Sequence, residues 1–345
     1  MTSQQPNTAS EESTDKPDCM TDGPYGPVTH RGSGSKLPAT IAATIRGMFA
    51  ILLFYGVGTI LMILFVWLVM SPDVGISQSF PEDPERLNDT MTLLGMMSMF
   101  LVLSPGMALS AVLWNALVEK RSLASMGLQA HRPASKYLSG LVSGGLLGIL
   151  YLTVMMLVAW WMNNASLSDV EFDFHRLSEP SVWQFLAIAG VILLVPSFCE
   201  EITFRGWLLS STSRRINIST SVAISSVLFS LFHIDRLTLG LGNGALTLVM
   251  LGVLGVIFCR LALSSSGLFG AAGAHGGYNV MVIVGGLAAT AVSTNAEGGQ
   301  IAIEMLSLTQ TDFNTPASTV QLVFGVVVFV LIAAFIRYQP ASRKC

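Results

Sequence analysis

Long apolar runs, separated by short polar segments, make up most of this chain. Eight runs approach or exceed the length of about 20 residues that a helix needs to cross a bilayer. A backbone in lipid must satisfy its own polar groups, so runs of this length favour helices. We therefore predict an all-α polytopic membrane protein with about eight transmembrane helices. The runs lie approximately at 47–70, 91–118, 137–162, 183–213, 217–234, 243–262, 267–290 and 317–337.

The first 40 residues differ from everything that follows, because they are polar and rich in Ser, Thr and Pro. Such a composition predicts a disordered tail. The segment lacks the charged start, short apolar core and small-residue cleavage site of a signal peptide, so we expect the first span to be a retained anchor. We accordingly predict a tail at 1–40 and one membrane domain at 41–345.

Basic residues predict the orientation of the spans. Thirteen Lys and Arg residues fall in segments on one predicted side of the membrane, and three fall in the alternate loops. Basic residues near span ends resist translocation, so both termini are predicted to be cytoplasmic. The compact loops and short termini favour a prokaryotic plasma membrane. The thirteen are Arg31, Lys36, Arg46, Lys120, Arg121, Arg132, Lys136, Arg214, Arg215, Arg260, Arg337, Arg343 and Lys344; the three are Arg86, Arg176 and Arg236.

Composition supports the membrane prediction and excludes other classes. Hydrophobic residues make up 52% of the chain and charged residues 11%, whereas about a quarter of a soluble domain is charged. The formal net charge of -3 leaves no basic face for nucleic acid. Four scattered cysteines without a CxxC pair fit neither a disulfide framework nor a thiolate zinc site.

Glycines recur at four-residue spacing in the third run, at Gly140, Gly144 and Gly148. This spacing puts them on one helical stripe, where small residues let two backbones approach closely. We expect the stripe to pack against another helix, within the chain or in a second copy.

Two glutamates and two histidines lie in apolar runs, where a charge costs several kcal/mol on most scales and usually marks a functional site. They are Glu200 and Glu201 in the fourth run, His233 in the fifth and His275 in the seventh. The helical rise of about 1.5 Å per residue allows all of them to meet near mid-membrane. Glu200 is rotated by about 100° from Glu201, so the two carboxylates can face different partners.

Residues four apart on a helix share a face and can interact. Three pairs of polar or aromatic residues show this spacing in the same runs. They are Glu201 and Arg205, Phe229 and His233, and His275 and Asn279.

These three pairs, with Glu200 before the first, resemble the three-motif signature of the CAAX protease and bacteriocin-processing (CPBP) family. Its members are intramembrane endopeptidases, described as glutamic endopeptidases or metalloproteases, and include the type II CAAX prenyl endopeptidase. The resemblance covers roughly residues 120–290. Gly276 and Gly277 stand where the family pattern has bulkier residues, and we expect them to loosen the helix there.

The resemblance implies a mechanism that needs no cofactor. In the family, the first glutamate and the second-motif histidine activate the water that attacks the scissile carbonyl. Glu200 would then be the general base and His233 its partner. His275 and Asn279 would donate hydrogen bonds to the oxyanion. The other motif residues would have supporting roles: Glu201, Arg205 and Phe229.

Alternative functions stay open at this point. Glu200, His233 and His275 offer a zinc-like ligand set, although the HExxH helix of zinc proteases is absent. Glu and His could instead form the proton relay of a transporter. A non-enzymatic scaffold or immunity protein could share the same fold.

The expected substrate is a peptide or protein, and it includes prenylated or membrane-anchored chains. The cleavage sequence cannot be read from these residues. The chain's own last residue is Cys345, so its end is not a prenylation box.

Overall fold

A computed structural model of the chain describes residues 25, 37–70, 98–128, 131–163, 180–265, 267–292 and 316–336. The described residues are about 91% helical and contain no strand. The predicted all-α fold class is therefore confirmed. The predicted division at residue 40 stays a prediction, since most of the tail lies outside the described residues.

Each of the eight predicted apolar runs corresponds to one helical region. The second region is α2 between two π-helical turns, and the fourth joins α4 to α5 through a π-helix. Short 3₁₀ helices, Leu123–Met126 and Ile234–Leu239, connect neighbouring elements. The bounds are α1 Leu37–Met70, π-helix Met99–Leu103, α2 Ser104–Leu113, π-helix Trp114–Val118, α3 Pro133–Asn163, α4 Pro180–Glu201, π-helix Ile202–Leu209, α5 Ser210–Ser213, α6 Ile218–Phe232, α7 Leu241–Ser264, α8 Leu268–Val292 and α9 Pro316–Phe335.

Length and composition qualify four helices in the described part of the chain as candidate membrane spans: Leu37–Met70, Phe100–Val118, Pro133–Val154 and Leu241–Ser264. Large apolar side chains on α1, such as Phe49, Leu52 and Trp67, are more than 60% exposed. An outer surface of this kind suits lipid rather than water. The protein is an integral membrane protein, whereas its orientation and the total of eight spans remain predictions.

The predicted glycine stripe packs within the chain, against α8. The stripe consists of Gly140, Gly144 and Gly148 on α3. A Cβ atom at Gly144 would lie 1.9 Å from the carbonyl oxygen of Ala274. On the α8 side of the same contact, a Cβ atom at Gly277 would lie 2.1 Å from the carbonyl oxygen of Leu141 on α3. The two backbones therefore touch, and this contact fixes the position of α8. The helix is continuous through Gly276 and Gly277, because packing on α3 holds it.

Two apolar clusters flank the centre of the molecule. One combines α7, α8 and α9 and includes Phe258 and Phe329. The other combines α1, α2 and α6 with the Ile202–Leu209 π-helix, and it includes Phe54 and Trp207. Every residue of that π-helix from Thr203 onward is buried. The ionisable residues predicted from the sequence lie where these two clusters meet.

Candidate active site

Glu200 and Glu201 occupy the last turn of α4, directly before the π-helix. In a π-helix the hydrogen bonds join residues five apart, and such wider turns are frequent at functional sites. Pro196, within α4, lacks the N–H that a regular helix would use. The hydroxyl of Ser197 donates to the carbonyl of Leu193 at 2.8 Å. The two glutamates thus lie at the point where the α-helix changes into a π-helix.

Glu201 forms a fully buried ion pair with Arg205. The guanidinium donates to Oε1 of Glu201 at 2.7 Å, and neither side chain has any exposure. Arg205 also donates to the carbonyl of Gly255 at 3.2 Å. Its guanidinium carbon lies 4.4 Å from the ring centroid of Phe229 and 5.4 Å from that of Phe258. Aromatic faces and a carbonyl thus supplement the carboxylate in compensating a buried cation.

His275 lies between the two glutamates. Its Nδ1 is 2.9 Å from Oε1 of Glu201, and its Nε2 is 3.8 Å from Oε2 of Glu200. The ring stacks on Phe258 with centroids 4.8 Å apart. Since Arg205 holds Glu201 as an acceptor, Nδ1 of His275 carries a proton in both the neutral ring and the imidazolium. Nε2 then faces Glu200 across a gap that is too long for a direct hydrogen bond.

His233 lies immediately after the last residue of α6. Its Nδ1 is 3.0 Å from the carbonyl oxygen of Phe229, one turn back. A carbonyl can only accept, so this nitrogen carries a proton and Nε2 is the ring nitrogen left for another partner. The Phe229 ring contacts both histidines, with centroids 5.1 Å from His233 and 5.7 Å from His275. Within the described ranges no hydrogen bond or ion pair joins His233 to Glu200.

Asn279 lies one turn after His275 on α8. Its Nδ2 donates to Oγ of Ser197 at 3.0 Å. An amide nitrogen has two protons, so one remains for another acceptor. Asn279, His233 and Glu200 are partly exposed, whereas Glu201 and Arg205 are fully buried. The site therefore has a closed side, built on the ion pair, and an accessible side.

The zinc alternative lacks an assembled ligand set. Within the part of the chain that the structure describes, no group of three His, Cys, Asp or Glu side chains could hold a metal ion. The Nδ1 atoms of both histidines are engaged, by Glu201 and by the carbonyl of Phe229, which leaves the Nε2 atom of each ring for another partner. The zinc alternative of Glu200, His233 and His275 stays a prediction, and we derive no step through a metal ion.

Tyr25 is a residue near the site that the sequence patterns did not indicate. It is 7% exposed and belongs to the same apolar cluster as Cys259. Its carbonyl accepts a hydrogen bond from Ser213 at 3.3 Å, and its buried hydroxyl has no partner among the described residues. Burial raises the pKa of Tyr25 most, Cys259 and Glu201 raise it further, and Arg205 opposes them. The sequence feature that could have indicated Tyr25 is the Gly-Pro pair on each side of this aromatic residue.

A second buried carboxylate, Glu119, joins three parts of the chain. It accepts hydrogen bonds from Arg46 on α1, from Arg121 at 2.7 Å, from Nε1 of Trp207 at 3.1 Å and from Ser211 at 3.0 Å. Burial by itself raises the pKa of Glu119. The bond from Arg121 and the charges of Arg46 and Arg121 outweigh burial, so the pKa lies below its ordinary value.

One family comparison identifies a segment of the chain. Residues 182–281 match the family model described as type II CAAX prenyl endopeptidase Rce1-like. The matched segment contains all three motifs predicted from the sequence. No curated protein and no solved structure matches the chain.

Proposed function

We propose that the chain is an intramembrane endopeptidase, because residues 182–281 match the family model described as type II CAAX prenyl endopeptidase Rce1-like. It hydrolyses a peptide bond with a water molecule that Glu200 and His233 activate. His275 and Asn279 stabilise the oxyanion, and Glu201, Arg205 and Phe229 hold these groups in place.

The row of contacts from Arg205 through Glu201 and His275 towards Glu200 is the observation that carries this proposal. Its buried end is fixed by the 2.7 Å ion pair and by the 2.9 Å contact to His275. Its other end is Glu200, whose side chain is 12% exposed. Oε2 of Glu200 has no hydrogen-bond partner among the described residues, so this carboxylate is available to take a proton from water.

The proton transfers in this proposal balance. Water loses a proton to Glu200 and its oxygen bonds to the scissile carbonyl carbon, which leaves a negative charge on the carbonyl oxygen. Asn279 donates to that oxygen, and His275 does so in its imidazolium form, with Glu201 compensating the positive charge. Glu200 then returns the proton to the leaving amine as the C–N bond breaks. The Nε2 lone pair of His233 accepts a hydrogen bond from the same water and orients it.

The substrate is a peptide or protein that reaches the site from a lipid environment. A prenylated or membrane-anchored substrate suits this site, because the helices around it expose apolar side chains outward. We place the protein in a prokaryotic plasma membrane on the strength of its short loops.

The test compares new protein termini by mass spectrometry in membranes that contain wild-type protein or Glu200→Ala, expressed equally in a deletion background. Termini that depend on Glu200 would support a protease and would also give its cleavage sequence. Asp235→Asn is the control, because that carboxylate is 69% exposed and, in the described part of the chain, its one ion pair is with its neighbour Arg236 at 3.7 Å. If Glu200→Ala yields every terminus seen with wild type, the peptidase assignment fails and a scaffold role replaces it.

Metal dependence is tested separately on the purified protein. We expect cleavage to continue in EDTA or phenanthroline, because no cofactor takes part in the proposed steps. Loss of cleavage that added zinc restores would instead support the alternative set of Glu200, His233 and His275.

A further inference from the structure

A narrow groove lies away from the proposed active site. It separates α1 from the Ile202–Leu209 π-helix and the residues that follow that helix. Arg46 and Gly47 on α1 line one side. The other side includes Trp207, Ser211 and Arg215. The α1 backbone comes close here because residue 47 is glycine; a Cβ atom would lie 2.9 Å from a methyl carbon of Leu208. The groove thus joins an apolar wall to a rim that carries two arginines.

Positive charge exceeds negative charge around this groove. Arg215 is near enough to Arg46 for their charges to repel, and Arg121 experiences the charges of both Arg46 and Arg214. Glu119 is the carboxylate that Arg46 and Arg121 share. Among the described residues named here, four arginines and one glutamate leave a formal excess of three positive charges.

Glu119 accepts four hydrogen bonds from described residues, and none of them comes from Arg214 or Arg215. Oε1 already accepts from Arg46, Trp207 and Ser211, and Oε2 accepts from Arg121. Arg215 is exposed, and its guanidinium makes no hydrogen bond or ion pair with any residue that the structure describes. An arginine of this kind, facing a second arginine across a groove, favours a bound anion.

We infer that this groove binds the phosphate group of an anionic phospholipid, with Arg215 and Arg46 as its two cationic contacts. Guanidinium groups recognise phosphate oxygens in a bidentate manner, and basic pockets between membrane helices bind anionic headgroups. Two neighbours of Arg46 on α1 favour a lipid, rather than free phosphate, as the molecule that carries the bound phosphate group. Ile45 and Phe49 are 61% and 63% exposed, so acyl chains can pack beside a headgroup held at the rim.

The experiment uses the full-length protein and vesicles of phosphatidylcholine with or without phosphatidylglycerol. Lipid retention is measured by native mass spectrometry, and the affinity is measured by lipid titration of thermal stability. We expect phosphatidylglycerol to bind preferentially and Arg215→Gln to weaken this binding about five-fold, since one basic residue near an anionic surface contributes about 1 kcal/mol. Arg46→Gln should act in the same direction, and added salt should weaken wild-type binding.

Arg236→Gln is the matched control, because it removes one partly exposed positive charge beyond the opposite end of α6 from Arg215, and Arg236 does not line the groove. A wild-type preference for phosphatidylglycerol that Arg215→Gln retains in full would overturn the proposal, as would an equal loss in Arg236→Gln. Inorganic phosphate and glycerol phosphate are titrated in parallel. If they bind through Arg215 as tightly as the lipid does, the site belongs to a soluble phosphate compound and the lipid assignment is wrong. Protease activity plays no part in these readouts, so the proposed function can fail without affecting them.

Discussion

Glu201 and His275 are 74 positions apart in the chain, yet Oε1 of the first lies 2.9 Å from Nδ1 of the second. This contact joins the end of α4 to the middle of α8. It also gives Glu201 two partners, because Arg205 binds the same oxygen. The carboxylate that the sequence indicated as a supporting residue is therefore the point at which the helix of the first motif is joined to the helix of the third.

Breaking the buried pair should destabilise the protein strongly. Glu201→Gln leaves the guanidinium of Arg205 buried without its counter-charge, which costs about 3–5 kcal/mol. The double variant Glu201→Leu with Arg205→Met should recover most of that stability, because no uncompensated charge remains. Cleavage should stay absent, since His275 has lost its partner. Thermal unfolding in detergent and turnover of a substrate, measured on the same preparations, check both parts.

The exposed pair of Asp235 and Arg236 is the control for this experiment. Its atoms are 3.7 Å apart and both side chains are at least 40% exposed, so removing Asp235 should change stability by less than about 1 kcal/mol. A double variant that regains activity together with stability would show that the ion pair has no part in positioning His275.

A methyl group in the contact between α3 and α8 should displace the helix that carries His275. In Gly144→Ala the new Cβ would lie 1.9 Å from a backbone oxygen, and backbone cannot rotate away as a side chain can. We expect a loss of about 1–3 kcal/mol or more, together with reduced cleavage. Unfolding midpoints and turnover numbers provide the measurement.

The next residue, Gly145, supplies the comparison. A Cβ atom there would meet nothing within 4 Å, so Gly145→Ala should be neutral or should stabilise α3 by up to about 1 kcal/mol through helix propensity. Equal destabilisation by both substitutions would mean that α3 and α8 do not pack as closely as described.

Acid should weaken the protein through Glu119. Its pKa in the folded state is lower than the ordinary value of 4.5, so the group stabilises the fold above that value. This contribution falls as pH drops from about 4.5 through the folded-state pKa. The difference in unfolding temperature between wild type and Glu119→Gln, followed from neutral to acidic pH, should therefore shrink. A difference that is constant across the acidic range would contradict the lowered pKa.

Tyr25 should hold the N-terminal segment against the membrane domain mainly through its ring. Removing a buried aromatic side chain typically costs about 3–5 kcal/mol, so Tyr25→Ala should expose the segment to protease. Tyr25→Phe should be close to neutral, because the hydroxyl has no partner among the described residues. Limited proteolysis with an N-terminal tag distinguishes the two. If Tyr25→Phe is cleaved as fast as Tyr25→Ala, and both faster than wild type, the hydroxyl and not the ring forms the attachment.

The sequence predicted the helical regions well, because the length and polarity of a membrane helix are local properties. The glycine stripe was equally readable, since its spacing depends on helical geometry alone. Glu200, Glu201 and His275 lie in helices, as the three motifs predicted, whereas His233 lies directly after the last residue of α6. The family match over 182–281 confirms the resemblance that those motifs carried, whereas the role of each residue in catalysis remains a proposal.

The partners of those residues could not be predicted in the same way. Hydropathy does not show that Glu201 binds His275 as well as Arg205, because that contact depends on how α4 and α8 pack. The π-helix after Glu201 has no periodic signal either, and the basic residues around Glu119 were interpreted only as markers of orientation. The average polarity around Tyr25 predicted a disordered tail and gave no sign that this side chain is buried.

The hydrogen bonds that end α6 have a consequence for how His233 could lose its proposed role in orienting the water. The Phe229 carbonyl is bound by the His233 ring, while the backbone N–H of His233 bonds to Ser230 instead. Winding α6 one residue further as an α-helix would bring that N–H to the Phe229 carbonyl and set it in competition with the ring. The length of α6 and the direction of Nε2 would then change together. A ligand that lengthened this helix would turn off His233 without contacting it.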